Sequence, residues 1–464
     1  MFISLKINHN RSRGSVLIIS MIIMLVCSAL AVSMASMSGS NIQLADNQCK
    51  ANRARACAES GFDVIRYWMN RVAISGTTTE EQRFSAIAAS LQSELSGDSI
   101  SNIYTSYEGS TITIPSVVLD SDTGDSFSSV ITLLDVDTLQ IDVTGTCGSI
   151  SRTIRGTYDF STRGTYAFDF GVATKGPLSL SGNIDIEGVN LAVEASVYIE
   201  SENSNLALSI IGNSQIAGDV SIVNPIASVD LQGGQAGIGG ETGQDAIDNH
   251  VDFGVPPTEF PEPVPSQFES YAVNIVDSNT NTSIDWTFEN IRILANTNPV
   301  FSGHATLTGV VYIETPNVVA FTGGADVTGI IVGDGDINDN SGTNKIIFQG
   351  NVSSHPISEL SDEPQFDGLQ EETGTFAMAP GFHVSFGGSF DALCGAIAGN
   401  GVEFFGNAGG IINGSVINYS GEPMTLSGNS DLFFNRSGTT ESPAGFVPEI
   451  ILKYNSSSYS EVIL

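Results

Sequence analysis

An apolar run extends from Val16 to Ala35, broken only by the small polar residues Ser20, Ser28 and Ser33. No Asp, Glu, Lys or Arg occurs between Arg13 and Asp46. A helix needs ~20 apolar residues to cross a bilayer, so this pattern predicts a membrane span over residues 16–37. Beyond Ser38 the period changes. Ala51, Ala54, Ala58, Gly61, Ile65, Trp68 and Val72 recur at alternating spacings of three and four, one face of a helix. An unbroken helix from Ser15 to Ile74, with Gly76 as its C-cap, would be on the order of 90 Å long at 1.5 Å per residue. Its small residues Ala51, Ala54, Ala58 and Gly61 predict a face on which a neighbouring helix packs closely.

"TTTEEQRFSAIAASLQSEL" predicts a second helix, opened by a Thr79/Gln82 capping box and burying Phe84, Ile87, Leu91 and Leu95. Alternating apolar and polar runs follow. "LQIDVTGTCG" and "SISRTIRGTYDF", joined around Gly148, predict a hairpin. Four stretches then share one pattern: "LSGNIDIEG" (180–188), "IIGNSQIAG" (210–218), "FSGHATLTG" (301–309) and "FTGGADVTG" (321–329). Looser copies stand at 348–352, 386–390, 404–408 and 426–430. A spacing near 20 residues with short apolar strands and Gly/Asn corners predicts a β-solenoid, in which no turn buries its inward side chains alone. "GVPPTEFPEPVPSQF" (254–268) interrupts the array, because its prolines cannot join a central ladder.

The fold class expected is mainly β with a long N-terminal α-helix: a small α+β module followed by a right-handed parallel β-helix. The boundaries are a basic leader at 1–14, a long helix at 15–76, the module at 77–164, a first solenoid part at 165–250, a Pro-rich strap at 251–290, a second solenoid part at 291–446 and a tail at 447–464.

Charge narrows the function. Residues 1–74 hold eight Lys/Arg against three Asp/Glu, and residues 75–464 hold nine against forty-eight. So acidic a body speaks against nucleic acid as a partner, since phosphate binding needs Lys and Arg. Lys6, Arg11 and Arg13 ahead of the apolar run predict a cytoplasmic N-terminus and a body outside. Cys27, Cys49, Cys57, Cys147 and Cys394 include no CxxC pair, so a zinc site has no support. Cys49 and Cys57 lie too far apart along a helix to bridge each other; a bond from either to Cys147 stays open.

Chemistry is sparse. The five histidines show no HExxH spacing, and no GxSxG elbow, Walker loop or GxGxxG occurs. His304 and His383 read as residues of solenoid corners. "DGDINDNSG" is the metal candidate: Asp334, Asp336, Asn338 and Asn340 alternate oxygen donors as a calcium loop does, although Asp339 and Lys345 stand where such a loop wants Gly and Glu. No other cofactor is expected. Asp185, Asp326 and Asp391 are the acids a solenoid glycosidase or lyase would draw on. The expectation is a non-enzymatic protein; the alternative is a membrane-anchored polysaccharide-active enzyme or a carbohydrate-binding β-helix.

A basic leader ending in Arg13-Gly14, then "SVLII", the long apolar helix and "ARACAESGFD" (54–63) resemble the N-terminus of type IV pilin-like proteins, particularly the PilX N-terminal type of minor pilin. The resemblance implies cleavage by a prepilin peptidase between Gly14 and Ser15. It implies a place in the bacterial inner membrane, partnership with pilin or pseudopilin subunits, and a role in a type IV pilus or a related secretion assembly. The wording around "NPVFSGHATLTGVVYIETPNVVAFTGGADVTGIIVGDG" is similar to C-terminal regions of some bacterial pilin-like envelope proteins, a resemblance that adds architecture and little chemistry. The acidic solenoid is expected to serve as an adhesive or spacer surface, with surface glycans as a candidate partner. Many pilins carry glutamate at the fifth mature position; here it is Ile19.

Overall fold

The computed structural model describes residues 13–97, 100–201, 205–339, 341–436 and 442–462. The chain forms two compact units, residues 1–74, 78–161 and 451–464 in the first and 75–77 and 162–450 in the second.

In the first unit, α1 (Arg13–Met69) is one continuous helix of 57 residues. It stops short of the predicted Ile74 because Ala73–Ser75 leaves the helix to pair at the edge of a sheet. Gly76 is therefore no helix cap; its N–H donates to the Pro448 carbonyl at 2.8 Å. α2 (Glu80–Gly97) starts on the Thr79 carbonyl, which accepts the Gln82 and Arg83 N–H groups at 2.9 and 3.0 Å. Phe84, Ile87, Leu91 and Leu95 are all buried.

The sheet has seven strands in the order Ala73–Ser75, Glu449–Val462, Ile150–Arg163, Thr138–Cys147, Asp125–Asp135, Thr111–Asp120 and Ser106–Glu108. Thr138–Cys147 and Ile150–Arg163 form the hairpin, with Cys147 opposite Ile150 and Gly148 at φ +61°. The span read as a tail is thus a strand, set beside Ile150–Arg163. Phe62 of α1 fills the seam against Tyr454 and Tyr459, edge to face at 5.7 and 6.0 Å.

The second unit is a stack of turns building three mainly parallel sheets of 12, 9 and 7 strands. A complete turn gives one strand to each, as in Val172–Thr174, Leu178–Gly182 and Asp185–Gly188. The order of turns differs from the order of sequence. From Val172 the stack grows one way to Val251–Phe253, near a capping helix α3 (Gly243–His250). The chain then crosses to the opposite end, restarts at Asn274–Val276 and grows back. Its last turn closes on its first along all three sides: Val416 against Val172, Leu426 against Leu180, Leu432 against Ile186. Asn418 bridges the closure, its amide donating to Thr174 Oγ1 at 2.9 Å.

Inside, equivalent positions form columns. Phe301, Phe321, Phe348, Phe386 and Phe404 stack at 4.8, 5.1, 4.9 and 5.2 Å with planes within 15°. Past Phe404 the column continues through Leu426, Leu180, Ile210 and Leu231. At one corner Gly406, Gly428, Gly182, Gly212 and Gly233 form a second column, each at positive φ. A Cβ on Gly182 would occupy the place of the Gly428 carbonyl, so backbone sterics and close approach both select glycine there.

The proline-rich segment is the crossing strap. Strands at Val251–Phe253, Asn274–Val276 and Trp286–Ile293 take both ends of the span 251–290 into the largest sheet. Between them Phe260, Phe268 and Ala272 pack on outward residues of that sheet, among them Tyr198, Tyr312, Met378 and Ile417. Hydrogen bonds pin the strap: Thr258 N–H to Tyr198 Oη at 2.9 Å, and Tyr419 Oη–H to the Pro261 carbonyl at 2.6 Å. This cover explains why the sheet's strands, such as Val197–Ile199, are buried on both faces.

Candidate functional site

α1 changes character along its length. From Val16 to Leu44 its large apolar side chains are bare: Ile19 is 55% exposed, Leu25 67% and Leu44 67%. This stretch is long and apolar enough to cross a membrane. Ser20 folds its hydroxyl back onto the Leu17 carbonyl at 2.9 Å, which satisfies the donor without water. The first charges after the apolar run pair with each other, Lys50 Nζ to Asp46 at 2.7 Å.

From Ala54 onward one face of α1 is buried in its own sheet. Ala54 and Ala58 are fully buried, a Cβ on Gly145 would strike the Ala54 carbonyl and the Ala58 amide, and one on Gly61 would enter the Phe127 ring. The small residues predicted to seat a neighbouring helix seat this chain's own strands instead. Small residues serve either purpose, since both need backbone close to backbone. Arg53 reaches Asp125 at 2.5 Å and Asp120 at 3.9 Å. Cys147 and Arg53 hold the Asp125 carboxyl below the usual carboxylate range against the opposing effect of its burial. This cluster left no mark in the sequence, because its members lie on three separate elements.

The processing residues Gly14 and Ser15 stand in the first turn of α1, and residues 1–12 lie outside the described residues. The calcium candidate is split. Asp334 accepts the Thr315 N–H at 2.7 Å, and burial pushes its carboxyl up. Asp336 accepts both the backbone and side-chain N–H groups of Asn338, at 2.9 and 3.1 Å. Asn340 lies outside the described residues. Among the described residues no three His, Cys, Asp or Glu side chains gather as a metal would need.

The solenoid acids fall in separate settings. Asp185 lies at the closure, its N–H donating to the Asp431 carboxylate at 3.0 Å. Asp326 pairs with His355 at 3.0 Å, and Asp391 gives its carbonyl to the Ile411 N–H at 3.1 Å. Burial pushes the His383 imidazole down, against the opposing pull of Glu403. Cys394 donates to the Ser354 carbonyl at 3.4 Å, and burial pushes its thiol up, the opposite of an activated nucleophile. Within the second unit, a cavity of about 400 Å³ opens beneath the strap, lined by Lys175, Glu200, Glu259, Phe260, Glu262 and Glu449 among others. Lys175 sits over the Phe260 ring at 5.2 Å, and Glu449 meets Arg163 at 3.0 Å.

No protein-family model matches the chain, and no curated protein matches it. Among solved structures, the crystal structure of the competence-associated pilin ComZ from Thermus thermophilus overlaps 89% of this chain and 97% of its own, at 11% identity and a TM-score of 0.22.

Proposed function

We propose that this chain is a non-enzymatic pilin-like protein of the bacterial envelope, a minor component of a type IV pilus or related secretion assembly. The observation that carries the reading is α1: one helix, bare and apolar from Val16 to Leu44, then sunk by its small-residue face into an antiparallel sheet. A solitary membrane tether has no need of a rigid continuation docked on a sheet, whereas a subunit that packs beside other rods does. The partners are then the inner membrane and the apolar helices of pilin or pseudopilin subunits, met through residues 16–44, since the alanine face is already taken. In this reading a prepilin peptidase cuts between Gly14 and Ser15. Ile19, in place of the glutamate of many pilins, fits a minor or initiating component. The solenoid is the displayed part, reaching surface glycans or acting as a spacer. Residues 162–450 hold five Lys/Arg against 35 Asp/Glu, a charge that keeps such a surface soluble.

Mass spectrometry of the N-terminus, from cells with and without prepilin peptidase, tests the reading. A chain beginning at Ser15 only when the peptidase is present is the expected result. An intact leader in both strains leaves an anchor and removes the pilus.

A further inference from the structure

α1 and the strand Thr138–Cys147 meet where neither carries bulk. Because a Cβ on Gly145 would strike the Ala54 carbonyl and the Ala58 amide, one turn of helix rides directly on the strand. Cys57 lies in that turn and is 7% exposed. Cys147 follows two residues after Gly145 on the same inward face and is 4% exposed. The thiols share one environment: the Asp125 carboxylate and the Arg53 guanidinium act on both, and Cys57 acts on Cys147. Cys57 also meets the backbone of Ser126, which pairs across the sheet with Thr146, the chain neighbour of Cys147. Cys49, the other candidate partner from the sequence, is exposed on α1.

We propose that Cys57 and Cys147 form a redox site, closing to a disulfide that staples α1 to its own sheet. The oxidant is a disulfide RSSR, either a small-thiol couple or a disulfide-donating oxidase. One cysteine thiolate attacks RSSR and releases one RSH, and the second cysteine attacks the resulting mixed disulfide and releases the other. Two S–H bonds and the donor S–S bond are lost, one protein S–S bond and two RSH are gained, and two electrons pass from the cysteines to the donor.

Burial pushes the Cys57 thiol up, and the Asp125 carboxylate together with burial pushes Cys147 up. Exchange within the folded chain is therefore slow, and the bond closes as α1 docks during folding. Once closed, it is shielded from soluble reductants. A load along α1 then passes to the sheet through a covalent link as well as through packing. The inference rests on where Cys57 and Cys147 lie within the first unit, so an uncleaved leader would overturn the proposed function and leave the staple standing.

The test uses the full-length chain in detergent, denatured and refolded in an oxidising glutathione buffer, trapped with N-ethylmaleimide and mapped by protease digestion and mass spectrometry. Peptides bearing Cys57 and Cys147 are expected as a linked pair, with Cys49 labelled. Parent chain refolded with dithiothreitol present throughout is expected to melt roughly 5 °C below parent refolded in the oxidising buffer, whereas the same two preparations of Cys57→Ser are expected to melt together. Cys57→Ser is the working variant because the Asp125 carboxylate acts most strongly on the Cys147 thiol, and this choice leaves that thiol in place. Complete labelling of Cys57 and Cys147, or a bridge between Cys49 and Cys147, overturns the proposal.

Discussion

The Gly428 carbonyl lies where a side chain on Gly182 would begin, and this contact joins the last turn of the solenoid to its first. Gly182 also holds φ +138°, outside the range of L side chains. Gly182→Ala is therefore expected to cost about 2–4 kcal/mol, the sum of backbone strain and a forced separation of the turns. Gly109, at φ +62° with nothing nearby, is the control, and Gly109→Ala should cost about 1 kcal/mol. Thermal unfolding of the two variants side by side measures the difference.

The phenylalanine column predicts a graded response. Phe348 is fully buried between Phe321 and Phe386. Phe348→Ala leaves a cavity that stacked rings cannot collapse into and should cost about 3–5 kcal/mol. Phe348→Leu keeps most of the volume and should cost clearly less. Near-ultraviolet circular dichroism should lose intensity in both, since both break the stack.

Gly145→Val inserts bulk where α1 rides on its strand. No flexible side chain can yield there, because the atoms in the way are the Ala54 carbonyl and the backbone of Ala58. A loss of more than about 3 kcal/mol is expected. The displaced helix should become open to trypsin at Arg53 and Arg55, in limited digests that leave the parent intact.

Asp185 predicts a pH dependence. Burial, and after it the nearby Asp431 carboxylate, pushes its carboxyl above the ordinary value of about 3.9. The folded chain thus binds this proton before the unfolded chain does. Its unfavourable contribution is full above the raised value and vanishes as pH falls to the ordinary one. Asp185→Asn should be more stable than the parent at neutral pH, and the gap should close on acidification through that window. A gap that stays constant or widens towards low pH would contradict the assignment.

Much of the architecture was legible because it rests on local pattern. The stripe from Ala51 to Val72 named the buried face of α1, and Leu180/Gly182 and Ile210/Gly212 fell in register as neighbouring turns. Non-local pairing was not legible. Nothing in "GVPPTEFPEPVPSQF" tells whether the chain resumes where it left off or crosses to the far end, because a strap of that length serves both. One signal was present: "LSGN" stands at 180–183 and again at 426–429, and the two copies stack on each other. The stripe itself misled over partner choice, since Ala54 and Ala58 suit a strand carrying Gly145 as well as another helix. The four donors of "DGDINDNSG" alternate in sequence, but Asp334 and Asp336 turn to different backbone partners.

The closure of the last turn on the first also sets a schedule for biosynthesis. When residues 172–253 have been made, the strands Val172–Thr174, Leu178–Gly182 and Asp185–Gly188 already have partners on one side. Their other side stays an open edge until residues 416–434 have been translated and delivered. Throughout that interval the nascent chain offers three unpaired templates to any strand it meets, and a chaperone that shields them would raise the yield of folded protein.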